Sequence, residues 1–174
     1  KIAGVDEAGR GPLAGPVIIA AVILGKNWNN EIKLNDSKQL SAKKRQELFE
    51  LICKESSAFN IVSVSPQKID RLNILQATML GMKSCSSEIM PTPDYLLVDG
   101  NRYPDTKIKG RALVKGDCLS KSIAAASILA KVFRDRKMVE FGKMYPQWGF
   151  ERHMGYPTRK HRDAIAKHGF SPIH

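Results

Sequence analysis

The first 24 residues limit the fold most. Ile2 to Asp6 and Val17 to Leu24 are short, apolar and rich in β-branched residues, with the glycine- and proline-rich stretch Gly9 to Pro16 between them. Apolar runs of this length bounded by turn formers read as strands, so the chain opens as strand, loop, strand. Further strands are expected at Ala58 to Val64, at Tyr95 to Asp99 where Gly100 stops it, and at Lys107 to Lys115. Helical periodicity fills the intervals. Ser41 is positioned to cap a helix running to about Glu55 with Leu48, Phe49, Leu51 and Ile52 on one face. Asn73 is positioned to cap a second, Ile74 to about Ser87, burying Leu75, Met79, Leu80 and Met82. A long helix is expected from about Leu119 to Gly142, its Ala- and Ile-rich first half suited to close packing on a sheet, and Thr158 precedes a short one at His161 to His168. Such a mixture predicts an α/β domain with a central sheet flanked by helices, one unit over residues 1–174.

The charge balance points to a partner. Twenty-eight Lys and Arg against 17 Asp and Glu give a formal charge of +11, which favours a polyanion, nucleic acid first. With 43% hydrophobic residues the chain is no disordered basic tail. Cys53, Cys85 and Cys118 are odd in number and lack a CxxC pair, so neither a disulfide framework nor a zinc site is suggested. The longest apolar run, Val17 to Leu24, is far short of the ~18 residues a membrane span needs. A cytoplasmic protein that uses no membrane is expected.

In so basic a chain the placement of the few acids is informative. Asp6 and Glu7 end the first strand, Asp99 ends another before Gly100, and Asp117 follows Gly116 ahead of the long helix. Side chains at the ends of strands in one sheet, and at the start of a helix packed on it, can converge on one point. Converging carboxylates repel one another unless cations lie between them, and hard oxygen ligands suit Mg²⁺ or Mn²⁺. Two such ions form the clamp for hydrolysis of a phosphodiester. Taken singly, Asp117 also reads as a helix cap and Asp99 as a turn residue. Adjacent Asp6 and Glu7 are harder to place otherwise, since in a regular strand one of them would face the core.

Gly9, Gly11 and Gly15 invite comparison with a dinucleotide-binding loop, but the spacing is GxGxxxG and a strand follows it, not a helix. That reading is rejected. What remains is either an ordinary tight turn or a loop whose backbone approaches a sugar or phosphate at Gly9 and Gly11, with Arg10 adding charge.

Set in order, five segments resemble the landmarks of the bacterial ribonuclease HII family: DEAGRGPLAGPV from Asp6, NDSKQLS from Asn35, LLVDGN from Leu96, VKGDCLSKSIAAASILAKVFRD from Val114 and GYPTRKH from Gly155. The resemblance implies an RNase H-like fold with a mixed sheet, and it sets the family's four metal-binding, catalytic carboxylates on Asp6, Glu7, Asp99 and Asp117. It implies that Gly9, Arg10 and Gly11 meet a ribonucleotide's 2′-hydroxyl and adjoining backbone, that Tyr156 stacks on the sugar of the next nucleotide, and that Lys38 meets a backbone phosphate. The activity implied is cleavage of the RNA strand of RNA–DNA hybrids, and cleavage 5′ of a single ribonucleotide within duplex DNA, with 3′-hydroxyl and 5′-phosphate ends. The C-terminal part, about 119–174, would add substrate contacts to a monomer. The related ribonuclease HIII group has GTG where this chain has Gly9, Arg10 and Gly11, and carries an extra N-terminal domain for which no room is expected here. Met154 departs from the lysine common before Gly-Tyr, and the end at His174 leaves a sliding-clamp contact open.

His153, His161, His168 and His174 lie among Arg152, Arg159, Lys160, Arg162 and Lys167 and read as surface that meets a nucleic-acid backbone rather than as a metal site. Asp135, between Arg134 and Arg136, reads as an ion-pair member. Two other classes share parts of this pattern. A non-catalytic nucleic-acid-binding protein would use the acids as caps and ignore chelators; a phosphatase for small esters would share the metals but has no use for so much positive charge.

Overall fold

In a computed structural model, which describes residues 1–34 and 40–174, five strands and seven helices follow one another along the chain. The strands are β1 (Ile2–Ala8), β2 (Val17–Ile23), β3 (Ala58–Val64), β4 (Tyr95–Asp99) and β5 (Gly110–Leu113). The helices are α1 (Ala42–Glu55), α2 (Pro66–Leu72), α3 (Ile74–Glu88), α4 (Gly116–Leu119), α5 (Lys121–Met144), α6 (Phe150–His153) and α7 (Arg159–His168). The sheet order is β3-β2-β1-β4-β5; β1 and β2 pair antiparallel, as do β2 and β3, while β1 with β4 and β4 with β5 are parallel. The sheet is therefore mixed and flanked by helices, as expected.

Both faces are covered, which is why β2 is buried at every residue. Ile18, Ala20 and Val22 turn to the side of α1 and α5, and Val17, Ile19, Ala21 and Ile23 to the side of α3, the two-residue alternation of a strand between two helical layers. Helix α5 lies against β1 and β2, and its small residues permit a close approach: a Cβ on Gly4 of β1 would fall 2.1 Å from the Ser122 carbonyl carbon. Gly4 is thus the point where helix backbone meets strand backbone.

Capping explains where the helices begin. Ser41, Ser65, Asn73 and Thr158 each accept a backbone N–H three residues on, from Lys44, Lys68, Gln76 and His161, satisfying donors that a helix leaves open. Four features differ from expectation. Helix α2, capped by Ser65 with Pro66 at its first position, and α6, a single turn, have too few residues to show periodicity. Strand β5 is shorter than Lys107 to Lys115, because the Tyr103 hydroxyl donates to the Ile108 carbonyl and holds that stretch in a loop. The long helix is preceded by α4, since Ser120 is extended (φ −134°, ψ 122°) and its N–H donates to the Gly116 carbonyl. On α3 the buried face is Ala77, Thr78, Gly81, Met82, Cys85 and Ser86, leaving Leu75, Met79 and Leu80 half-buried; Met82 is buried as expected, and small residues make the rest of the contact.

Candidate active site

Parallel pairing puts two of the expected acids side by side. Val5 of β1 is in register with Val98 of β4, so the next residues, Asp6 and Asp99, lie just past the last β1–β4 pair at the carboxyl-terminal edge, where open α/β sheets gather their ligands. The first strand runs beyond the expected Asp6 to Ala8, because Asp6 and Glu7 still pair with Ala20 and Ile19 of β2, and Asp99 pairs with Leu113 of β5. Asp6 is buried, at 5% exposure, and its Oδ1 accepts the Glu7 N–H at 2.7 Å. Asp99 Oδ1 accepts the Gly116 N–H at 2.6 Å, which ties the end of β4 to the start of α4. A Cβ on Gly116 would lie 2.6 Å from Ile123 Cδ1 and 3.2 Å from Asp99 Oδ1, so glycine leaves room for this close approach. Asp117, the next residue, is buried at 7% exposure, and its Oδ1 accepts the Cys118 N–H at 3.0 Å.

Burial holds the Asp6 carboxyl well above its usual range, and the charges of Glu7 and Asp99 push the same way against a hydrogen bond from Ser127. Burial also raises Glu7, opposed by Arg10, whose guanidinium lies 3.2 Å from Oε1. Asp6, Glu7 and Asp99 therefore feel one another's charge. Yet among the described residues no three His, Cys, Asp or Glu side chains form a ready ligand set, so the expected convergence is one of neighbourhood rather than a closed cage. Asp6 and Asp117 accept the N–H of the residue that follows, Asp99 accepts that of Gly116 in the next layer, and Arg10 pairs with Glu7, so each carboxylate already has a donor. The donor set still fits a hard divalent cation: it is all oxygen, and two of its members would be eased by nearby positive charge.

Glu7 lies between two hollows. One, of about 330 Å³, is lined by Glu7, Gly9, Arg45, Ser127, Lys131 and Tyr156; the other, about 240 Å³, includes Glu7, Arg10, Asp99, Asn101 and Arg102. Both combine acids with cationic walls. A larger hollow, about 450 Å³ between Lys83, Asp105 and Lys107, holds none of these residues, so size alone does not locate the site.

The glycine loop is pinned from behind. Gly9 has φ 110°, and a Cβ there would meet Arg134 Nε at 2.4 Å and the Pro16 carbonyl at 2.5 Å. Gly11 is different: its Cβ would stand at an ordinary 3.7 Å from Tyr156 Cε1, so the protein itself does not require glycine there. Arg10 is exposed, and Tyr156 is 43% exposed beside Gly11. Lys38 lies outside the described residues.

Sequence reasoning missed the residues that hold this arrangement. Arg134 of α5 is buried and donates to three backbone carbonyls, Pro16 at 3.0 Å, Ala14 at 3.0 Å and Met154 at 2.9 Å, joining the glycine loop to the segment that carries Tyr156. Ser127, one side of the same helix, reaches Asp6. The signal was present: Ile123, Ser127, Ala130, Arg134 and Met138 follow one another at helical spacing and are all buried. Three of the four C-terminal histidines require a correction, while His168 and Arg152, Arg159, Lys160, Arg162 and Lys167 are exposed as expected. His161 is fully buried and His153 half-buried; with His174 they pack around Phe150 rather than forming a surface. Asp135 is ion-paired to Lys131 at 2.8 Å, as its position suggested.

Solved structures share this architecture over nearly the whole chain. The ribonuclease H2 of Pyrococcus horikoshii matches with a TM-score of 0.85 and 28% identity, covering 99% of this chain and 90% of its own. Ribonuclease HII of Archaeoglobus fulgidus, solved as a PCNA:RNase HII complex, matches at 0.80 and 28%, with coverage of 99% and 90%. Fold and carboxylate edge together define a metal-dependent endoribonuclease of the ribonuclease H type. Residues 3–174 match the model of the ribonuclease HII family, and ribonuclease HII of Shewanella pealeana is 52% identical over 175 residues, all of this chain and 85% of that protein. The chain belongs to the ribonuclease HII family, whose activity is endonucleolytic cleavage of RNA in RNA–DNA hybrids.

Proposed function

We propose that the chain, as one catalytic unit over residues 1–174, cuts on the 5′ side of a ribonucleotide, including a single one embedded in duplex DNA, and leaves 3′-hydroxyl and 5′-phosphate ends. The observation that carries the site is the pairing of β1 with β4, which sets Asp6, Glu7 and Asp99 within one another's field, with Asp117 one residue beyond the Gly116 N–H that Asp99 accepts. Asp6, Glu7, Asp99 and Asp117 would hold two Mg²⁺ or Mn²⁺ ions. When bound, such a pair supplies Lewis acidity and charge neutralisation for in-line displacement at phosphorus. Asp6 and Asp99 are aimed by the backbone N–H groups they accept, and Ser127 fixes the buried Asp6 carboxyl from α5.

The rest of the site binds and reads. Arg45 and Lys131 wall the hollow beside Glu7 and give a phosphodiester backbone its counter-charge. Gly9, Arg10 and Gly11 present backbone and a guanidinium to the ribonucleotide, and the open space over Gly11, bounded by Tyr156, suits a sugar. The 2′-hydroxyl is what separates RNA from DNA at such a place. Lys38 completes this reading as a phosphate contact, and residues 119–174 supply the tyrosine side of the cleft.

The test is a gel assay of labelled duplex DNA containing one ribonucleotide, with Mg²⁺ or Mn²⁺, for the native chain and Asp6→Asn. A single metal-dependent cut 5′ of the ribonucleotide, absent in the variant, is expected. A cut at another bond would overturn the proposed polarity, and chelator-insensitive binding without cut ends would leave a binding protein only.

A further inference from the structure

Three C-terminal histidines are wired into the backbone that carries Tyr156. The Nδ1 of buried His161 lies 2.9 Å from the Tyr156 carbonyl, and its Nε2 lies 3.0 Å from Nε2 of His174. On the far side, His174 Nδ1 is 2.8 Å from the Ser171 backbone N. A carbonyl only accepts and a backbone N–H only donates, so the ring protons are fixed from both ends. His161 carries its proton on Nδ1 and donates to Tyr156; His174 accepts from Ser171 on Nδ1 and donates from Nε2 to His161. His153 stacks on His161 with ring centroids 4.2 Å apart, and its Nδ1 accepts the Gly155 N–H at 3.2 Å.

This relay ends on a strained turn that the Tyr156 N–H closes on the His153 carbonyl. Met154 has φ 51° and Gly155 φ 82°, a left-handed pair that is disfavoured at the non-glycine residue. The Tyr156 carbonyl accepts from His161 and from the Thr158 N–H, while Leu13 N–H donates to the Gly155 carbonyl and so binds the turn to the glycine loop. We infer that His161 and His174 are positioning residues that hold Tyr156 in register over Gly11, so that selection of an isolated ribonucleotide depends on them although neither meets the substrate. The inference rests on the reading of Tyr156 given above. A long hybrid offers a ribose in every register, whereas a single ribonucleotide offers one; displacement of the tyrosine therefore weakens the second substrate more.

The experiment compares native chain, His174→Leu, His174→Gln and Tyr156→Ala on two substrates, a one-ribonucleotide duplex and a long hybrid, alongside amide hydrogen exchange at Gly155, Tyr156 and Thr158. In His174→Leu the ratio of kcat/KM for the single ribonucleotide to that for the hybrid is expected to fall about tenfold, the scale of a small misplacement, with faster exchange at Tyr156 and Thr158. His174→Gln keeps a donor near the Nε2 position and is expected to recover most of the ratio, which separates register from simple loss of folding. Equal loss on both substrates, or unchanged exchange at Tyr156 and Thr158, overturns the inference. Faster exchange in His174→Leu with an unchanged ratio also overturns it if Tyr156→Ala lowers the ratio. If Tyr156→Ala itself leaves the ratio unchanged, the reading of Tyr156 fails, and the role in selection falls with it.

Discussion

Asp6 is stable only as a compromise, and the compromise has a measurable sign. Its carboxyl is raised chiefly by burial and then by Glu7 and Asp99, so the folded chain holds a proton there that the unfolded chain has already released. Metal-free stability is therefore unaffected below the ordinary carboxylate range and falls as pH rises through the raised value. Asp6→Asn keeps an oxygen to accept the Glu7 N–H and removes the charge. It should abolish cleavage yet raise the metal-free Tm at neutral pH by a few degrees, on the scale of roughly 2–4 °C per kcal/mol for a chain this size. Thermal scans across pH check this: a variant that melts below the native chain at pH 7 would refute the repulsion argument. The four proposed acids stood out in sequence because each was expected at an element end beside a glycine or another acid; β4 does end at Asp99, whereas β1 runs on to Ala8 and Asp117 is the second residue of α4. Ser127 and Arg134 share a helical stripe with Ile123, Ala130 and Met138, but in an Ala-rich helix that stripe stands out from its neighbours only once the sheet beneath fixes the helix phase. The histidines were misjudged for a related reason: charge around them is dense in sequence, but α7 turns Arg159, Lys160 and Arg162 outward and His161 inward.

At the scale of elements, α5 organises the site by touching three things at once: β1 through Gly4, Asp6 through Ser127, and the glycine loop and Tyr156 segment through Arg134. Arg134 can bond three carbonyls because a guanidinium presents a planar fork of donors, whereas an ammonium is a point charge. Arg134→Lys should leave one or two buried carbonyls without partners, each costing about 1–3 kcal/mol, and lower the Tm by roughly 5–10 °C. Cleavage should fall with it, since Gly9 and Met154 lose a shared anchor. A lysine variant with native Tm and rate would show that the clamp is dispensable. Strands and capped helices were legible with close boundaries: β3 and β4 fall where alternation and turn residues put them, and Ser41, Asn73 and Thr158 cap where expected. Helices α2 and α6 were hidden by length, and the break at Ser120 by its setting between two helical stretches, where local composition argues for continuity.

The whole molecule combines a charge of +11 with a buried acidic edge, and the two parts do different work. Long-range attraction to a phosphate backbone is blind to sugar identity, while the role proposed for the hollow bounded by Gly9, Ser127 and Tyr156 is to read one residue. The separation is testable through salt. Binding of the inactive Asp6→Asn chain should weaken with a log–log slope of about −0.9 per phosphate contacted, and the slope should be the same for a long hybrid and for duplex DNA with one ribonucleotide. Tyr156→Ala removes no charge, so it should lower the preference for the ribonucleotide-bearing duplex and leave the slope unchanged. Titrations at four or five salt concentrations decide it. A slope that becomes shallower in Tyr156→Ala would mean that the tyrosine sets the backbone grip as well as the reading, because counterions are released only where phosphates are neutralised.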